Sequence, residues 1–155
     1  ADSSQFPWMQ IALQEYHTRE RRGSRHTARI LEYHATCAGH TRDDETAWCS
    51  AFVNWSMAQI GIEGTRRANA RSWLNWGTAV PTSSYHYGAI TVLWRVSPRS
   101  WKGHVAFLAG VEGDNVILLG GNQDDSVSLR PYPKSRVLSF RWPDAFPQPN
   151  MSVSV

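Results

Sequence analysis

The pattern of apolar and polar positions changes period near the middle of the chain. In the segment WMQIALQEYHTRE, Trp8, Ile11, Ala12, Glu15 and Tyr16 recur at helical spacing. Pro7 opens that helix, a position where a missing N–H costs nothing, and an arginine-rich exit runs on to Gly23. A second short helix is predicted over Thr27–Cys37, with Ile30, Leu31 and His34 on adjoining rows and Gly39 beyond its end. The polar stretch His40–Thr46 reads as loop. A third helix is predicted from Ala47 to Ile60, with Cys49, Phe52, Val53, Ser56 and Ile60 forming an inward stripe. Asp44 or Thr46 would cap it, and Gly61 stops it. A fourth, short helix spans Ala68–Trp76 and ends at Gly77.

Beyond the Pro81–Tyr87 loop the period shortens to that of strands. Ala89–Trp94, His104–Ala109, Val116–Leu119, Ser126–Leu129 and Arg136–Phe140 are rich in branched and aromatic residues, with turn signals such as Glu112-Gly113-Asp114-Asn115 between them. Helices first and strands afterwards indicate an α+β fold, with N-terminal helices packed on a C-terminal antiparallel sheet. No repeat or linker divides the chain. The expectation is one domain over 1–155, its core within 7–143 and its tail wrapping the surface.

Composition narrows the class. At 155 residues the chain is long enough to bury a core, roughly 70% of its unfolded surface. Eight tryptophans exceed what a small core needs, so one or two are candidates to line a groove. The net charge of +3 owes much to Arg19, Arg21, Arg22, Arg25 and Arg29, a cluster suited to an anionic partner or simply to water. No nucleic-acid motif accompanies it, so no nucleic-acid partner is expected. No apolar run reaches membrane-spanning length, and no signal peptide is visible at Ala1–Gln5. Two cysteines cannot build a disulfide framework. His34, Cys37 and His40 lack the paired spacing of a closed zinc site, so no metal or other cofactor is expected.

The chemistry concentrates around Asp43-Asp44-Glu45-Thr46-Ala47-Trp48-Cys49. A cysteine in the first turn of a helix faces unpaired N–H groups and the positive helix end, which favour thiolate and can hold an oxyanion. The same position also suits a small core residue. His104, after Gly103 at the start of a strand, is placed either as a general base or as an ordinary packed histidine. Gly120-Gly121-Asn122-Gln123 is either a plain turn or a close backbone approach whose amide orients the imidazole.

Four segments, WCSAFVNW (48–55), GTRRANARSWLNWG (64–77), GHVAF (103–107) and LLGGNQDDSV (118–127), resemble the CHAP and NlpC/P60 group of bacterial and phage cysteine peptidases and amidases. PWMQIALQE and ARILEYHAT are similar to that group's leading helices. The resemblance implies a papain-like fold and hydrolysis of an amide in peptidoglycan, with Cys49 as nucleophile, His104 as base and Asn122 as orienting residue. Gln123 is the substitute if the register is off by one. Trp48, Trp73, Trp76, Trp101 and Arg71 become candidates for the substrate cleft. One departure stands out: Gly88-Ala89-Ile90 replaces the group's usual Gly-Asp-Ile. The expected cut is the N-acetylmuramoyl-L-alanine amide, with stem-peptide endopeptidase and an inactive wall-binding module as the alternatives. A monomer acting at the cell wall or periplasm follows from this reading, as does an immunity protein if the chain is an interbacterial toxin.

Overall fold

The computed structural model describes residues 6–19, 28–37 and 48–149. Helix α1 (Pro7–Gln14) starts at the proline and stops earlier than its pattern predicts. At Glu15 the side chain turns inward, accepting from the Tyr33 hydroxyl at 2.6 Å and pairing with Arg29 Nε at 3.0 Å. The chain then bends through His17, at φ 77°, and Arg19 bridges to Ser126. The Glu15 contacts tie the end of α1 to α2 (Ala28–His34). The Arg21, Arg22 and Arg25 part of the basic cluster lies outside the described residues.

Helix α3 (Cys49–Gln59) is the centre of the molecule. The expected inward stripe is too narrow a description, because every residue from Cys49 to Met57 is buried. Its polar residues are therefore all partnered, as burial requires. Ser50 Oγ donates to the Arg67 carbonyl at 2.6 Å and accepts from Trp73 Nε1 at 2.9 Å. Asn54 Oδ1 accepts from the Arg66 N–H at 2.8 Å, and Ser56 Oγ donates to the Phe52 carbonyl at 2.9 Å. This network clamps the 64–73 segment to α3. The predicted fourth helix is a 3₁₀ turn over Ala70–Asn75.

Six antiparallel strands follow: β1 (Thr78–Val80), β2 (Ile90–Trp94), β3 (Gly103–Glu112), β4 (Asn115–Gln123), β5 (Ser126–Pro133) and β6 (Val137–Trp142). Their order in the sheet is β1-β6-β2-β3-β4-β5. The pattern missed β1, a three-residue edge strand paired with the end of β6. Only the 3₁₀ turn Lys134–Arg136 separates β5 from β6. In a flat sheet those strands would lie four spacings, roughly 19 Å, apart. Four virtual bonds reach only about 14 Å. The sheet must therefore twist and curl until its edge returns toward β2. Bulges supply the bend, with pairing shifts inside β3, inside β4, and between β2 and β6.

Helix α3 lies against β3 and β4, with Phe52 set edge-on to Phe107 at 6.3 Å. Trp8 of α1 donates to the Gly88 carbonyl at 2.8 Å and meets Trp142 edge-on at 5.3 Å. The result is an α+β molecule with helices on one face of a curled antiparallel sheet. No helix among the described residues is long and apolar enough to cross a membrane.

Candidate active site

Cys49 is the first residue of α3, and Trp48 precedes it as an N-cap without a side-chain capping bond. The expected caps Asp44 and Thr46 lie outside the described residues. The thiol is buried, and burial pushes its pKa up. The N–H groups of Val105, Ser50 and Cys49, together with the Arg95 charge, act in the opposite sense but do not win. The sequence expectation of a depressed thiol pKa is corrected on that point. The helix-end donors are present, and desolvation outweighs them. Because Val105 follows His104, the same contact sets the thiol against the start of β3.

His104 is also buried. Its Nε2 lies 2.9 Å from Gln123 Oε1. The Gln123 amide nitrogen donates to the Leu118 carbonyl at 3.1 Å and to the Ser128 carbonyl at 2.7 Å. Those two acceptors fix which way the amide faces, so Oε1 must meet the imidazole. An oxygen there can only accept, which places the imidazole proton on Nε2 and the lone pair on Nδ1. Burial, opposed by the Gln123 bond and reinforced by Arg95 and Arg136, takes the imidazole down to about 4.

The partner of His104 is thus Gln123 and not Asn122. The reason is the bulge. Gly120 pairs with Ser128 and Gln123 with Ser126, so two β4 residues stand opposite one on β5. Asn122 absorbs the extra residue in the left-handed region at φ 57°. Alternation slips by one, and Gln123 turns to the imidazole. The glycines make the approach close. A Cβ on Gly120 would fall 2.7 Å from Gln123 Oε1, and one on Gly121 would fall 2.8 Å from the Phe52 Cβ and the Trp48 ring.

Two residues here were not anticipated. The Tyr132 ring stacks on the imidazole at 5.2 Å and 30°, with its hydroxyl 3.4 Å from His104 Nε2. Burial raises this phenol to about 12, so it stays protonated. Arg136 lies over the rings of Tyr132 and Trp94 and donates twice to the Trp94 carbonyl, at 3.1 and 3.0 Å. Nothing local in Pro131-Tyr132-Pro133 announces this role, because the curl of the sheet creates the contact.

The proposed cleft needs correction. Trp48 and Trp73 are interior rings, the first against Tyr33 and the second bonded to Ser50. Trp76 is half-buried, packs on Trp73 at 4.9 Å and donates to the Glu63 carbonyl. Arg71 is occupied with the carbonyls of Lys102, Pro98 and Ser97, at 3.0, 3.0 and 3.2 Å, so it holds the β2–β3 hairpin. Trp101, 67% exposed, remains open to a ligand. Cys37 and Cys49 are both free thiols. No metal-holding group of His, Cys, Asp and Glu occurs among the described residues, and His40 of the weighed trio lies outside them.

A family model described as the CHAP domain matches residues 41–122. No curated protein matches this sequence. Among solved structures, a lipoprotein-like protein of the NLP/P60 family from Staphylococcus aureus subsp. aureus Mu50 is similar at 15% identity with a TM-score of 0.54. The match covers 91% of this chain and 42% of that one, so this chain spans about two fifths of that protein's length. The structural likeness concerns the papain-like fold alone. The family match runs through Cys49, His104 and the β4 bulge and takes in more than half of the residues, and by it this chain belongs to the CHAP domain family.

Proposed function

We propose that the protein is a cysteine-dependent peptidoglycan hydrolase. Family membership supports cysteine-peptidase-type processing of peptidoglycan in general terms; the residues and the bond are our assignment. The observation that carries the reading is the fixed pair His104–Gln123 beside a cysteine at a helix start. In the resting site both groups are neutral, since burial raises the thiol and lowers the imidazole. His104 Nδ1 therefore takes the thiol proton as Sγ attacks the amide carbonyl. The Cys49 N–H, at the positive helix end, stabilises the oxyanion. The imidazolium then passes its proton to the leaving amine, and a thioester remains. Water, deprotonated by Nδ1, attacks the thioester, and the thiolate leaves and recovers the proton. Tyr132 covers the His104–Gln123 pair from water.

The preferred bond is the N-acetylmuramoyl-L-alanine amide, with the exposed Trp101 ring available to a sugar face. A stem-peptide cut is the second reading, since a stem amide offers the same carbonyl to Cys49. The site of action is the bacterial wall. Digestion of purified sacculi beside a glycan-free stem tetrapeptide tests this. Intact stem peptides beginning at L-Ala, with the tetrapeptide untouched, are expected. Tetrapeptide cleavage transfers the assignment to an endopeptidase, and sacculi left intact by the wild-type chain defeat the hydrolase reading.

A further inference from the structure

Beside the candidate site stands a cation whose side chain the fold does not use. Leu93 pairs with His104 and Trp94 with Gly103, and the Arg95 N–H continues the ladder to the Lys102 carbonyl at 3.3 Å. Residues directly opposite in an antiparallel ladder share a face, as do residues two apart on one strand. Arg95 thus stands on the His104 face, one step toward the hairpin tip.

Three cations nearby are committed. Arg136 holds the Trp94 carbonyl, Arg71 holds the hairpin, and Lys102 lies over the Trp101 ring at 5.6 Å. Arg95 is exposed, and its guanidinium has no hydrogen bond, ion pair or ring contact among the described residues. Its field nonetheless reaches Cys49, His104 and Tyr132 together. The hairpin that carries it is pinned by the three Arg71 bonds, so the charge sits on a held loop at the rim.

We infer that Arg95 is the substrate-anchoring cation of this site, binding a carboxylate next to the scissile amide. The inference rests on the hydrolase reading for the identity of the substrate. On either cut the carboxylate nearest the scissile amide is the α-carboxylate of the stem D-glutamate. The site would then distinguish stems carrying D-glutamate from those amidated to D-isoglutamine, which present no charge there.

The test is a binding measurement that needs no turnover. N-acetylmuramoyl-L-alanyl-D-glutamate and its D-isoglutamine counterpart are titrated into the Cys49→Ala protein and into Cys49→Ala/Arg95→Gln. The expected preference for the glutamate form is about fivefold, the upper range for a partly exposed ion pair. In the double variant the two ligands should bind alike. Equal affinities in Cys49→Ala, a preference that survives Arg95→Gln, or no binding of either ligand would overturn the assignment. Wild-type digestion of sacculi separates the two claims. Lysis without a glutamate preference removes the Arg95 role alone, and a preference without lysis removes hydrolysis alone.

Discussion

At the scale of single residues, the Gln123 amide governs the imidazole. It is held by two carbonyls, so it cannot rotate to offer its NH₂ to His104. Gln123→Ala should free the ring and its tautomer and lower kcat on the order of 10²-fold with little change in KM. Asn122→Ala should leave kcat within about twofold and cost about 1 kcal/mol of stability, because alanine tolerates the left-handed backbone poorly. Steady-state kinetics and urea melts on both variants check this. A damaging Asn122→Ala beside a silent Gln123→Ala would reverse the assignment. The sequence offered both amides, and the family resemblance placed the orienting role on Asn122, with Gln123 as the substitute one residue on. One bulged residue was enough to mislead, since a shift of one exchanges the two faces of a strand.

At the scale of elements, the contact between α3 and β4 sets the position of the nucleophile relative to the base. Gly121 lets the strand backbone approach Trp48 and Phe52. Gly121→Ala should push the start of α3 away, costing roughly 1–3 kcal/mol by overpacking and losing activity beyond what that instability explains. Measuring kcat well below the melting temperature separates the two effects, and full activity there would show that the approach is not needed. Helices α1 to α3 and strands β2 to β6 were legible because each carries its own periodicity; Cys49 and His104 stood out at the starts of such elements, and it was the family resemblance that proposed them as nucleophile and base. The missing features are non-local. Strand β1 is three residues long and exists by pairing with β6, and Tyr132 reaches His104 only through the curl. The cleft was misjudged for a related reason. Tryptophan count says nothing about which rings the Ser50 and Asn54 networks draw inside.

For the molecule as a whole, buried neutral histidines couple stability to pH. His104 is taken from its usual 6.5 down to about 4, and burial lowers His86 in the same sense. A depressed histidine contributes fully above the unfolded value and loses its contribution as pH falls through the window to the folded value. From about pH 6.5 to about pH 4 the unfolded chain therefore binds protons that the folded chain refuses, costing up to about 3 kcal/mol for His104. Urea midpoints should fall across that window, and less steeply in His104→Gln; parallel slopes would exclude a neutral buried His104. The strand order has a consequence in time. Strand β6 lies between β1 and β2, so the sheet is incomplete until β6 has emerged from the ribosome. A chain that has emerged only through β3 carries the thiol and the imidazole, but neither Gln123 nor Tyr132. During synthesis the amide that meets His104 and the ring that stacks on it thus follow the thiol and the imidazole, and only a chain that has emerged through β5 can bring all four together.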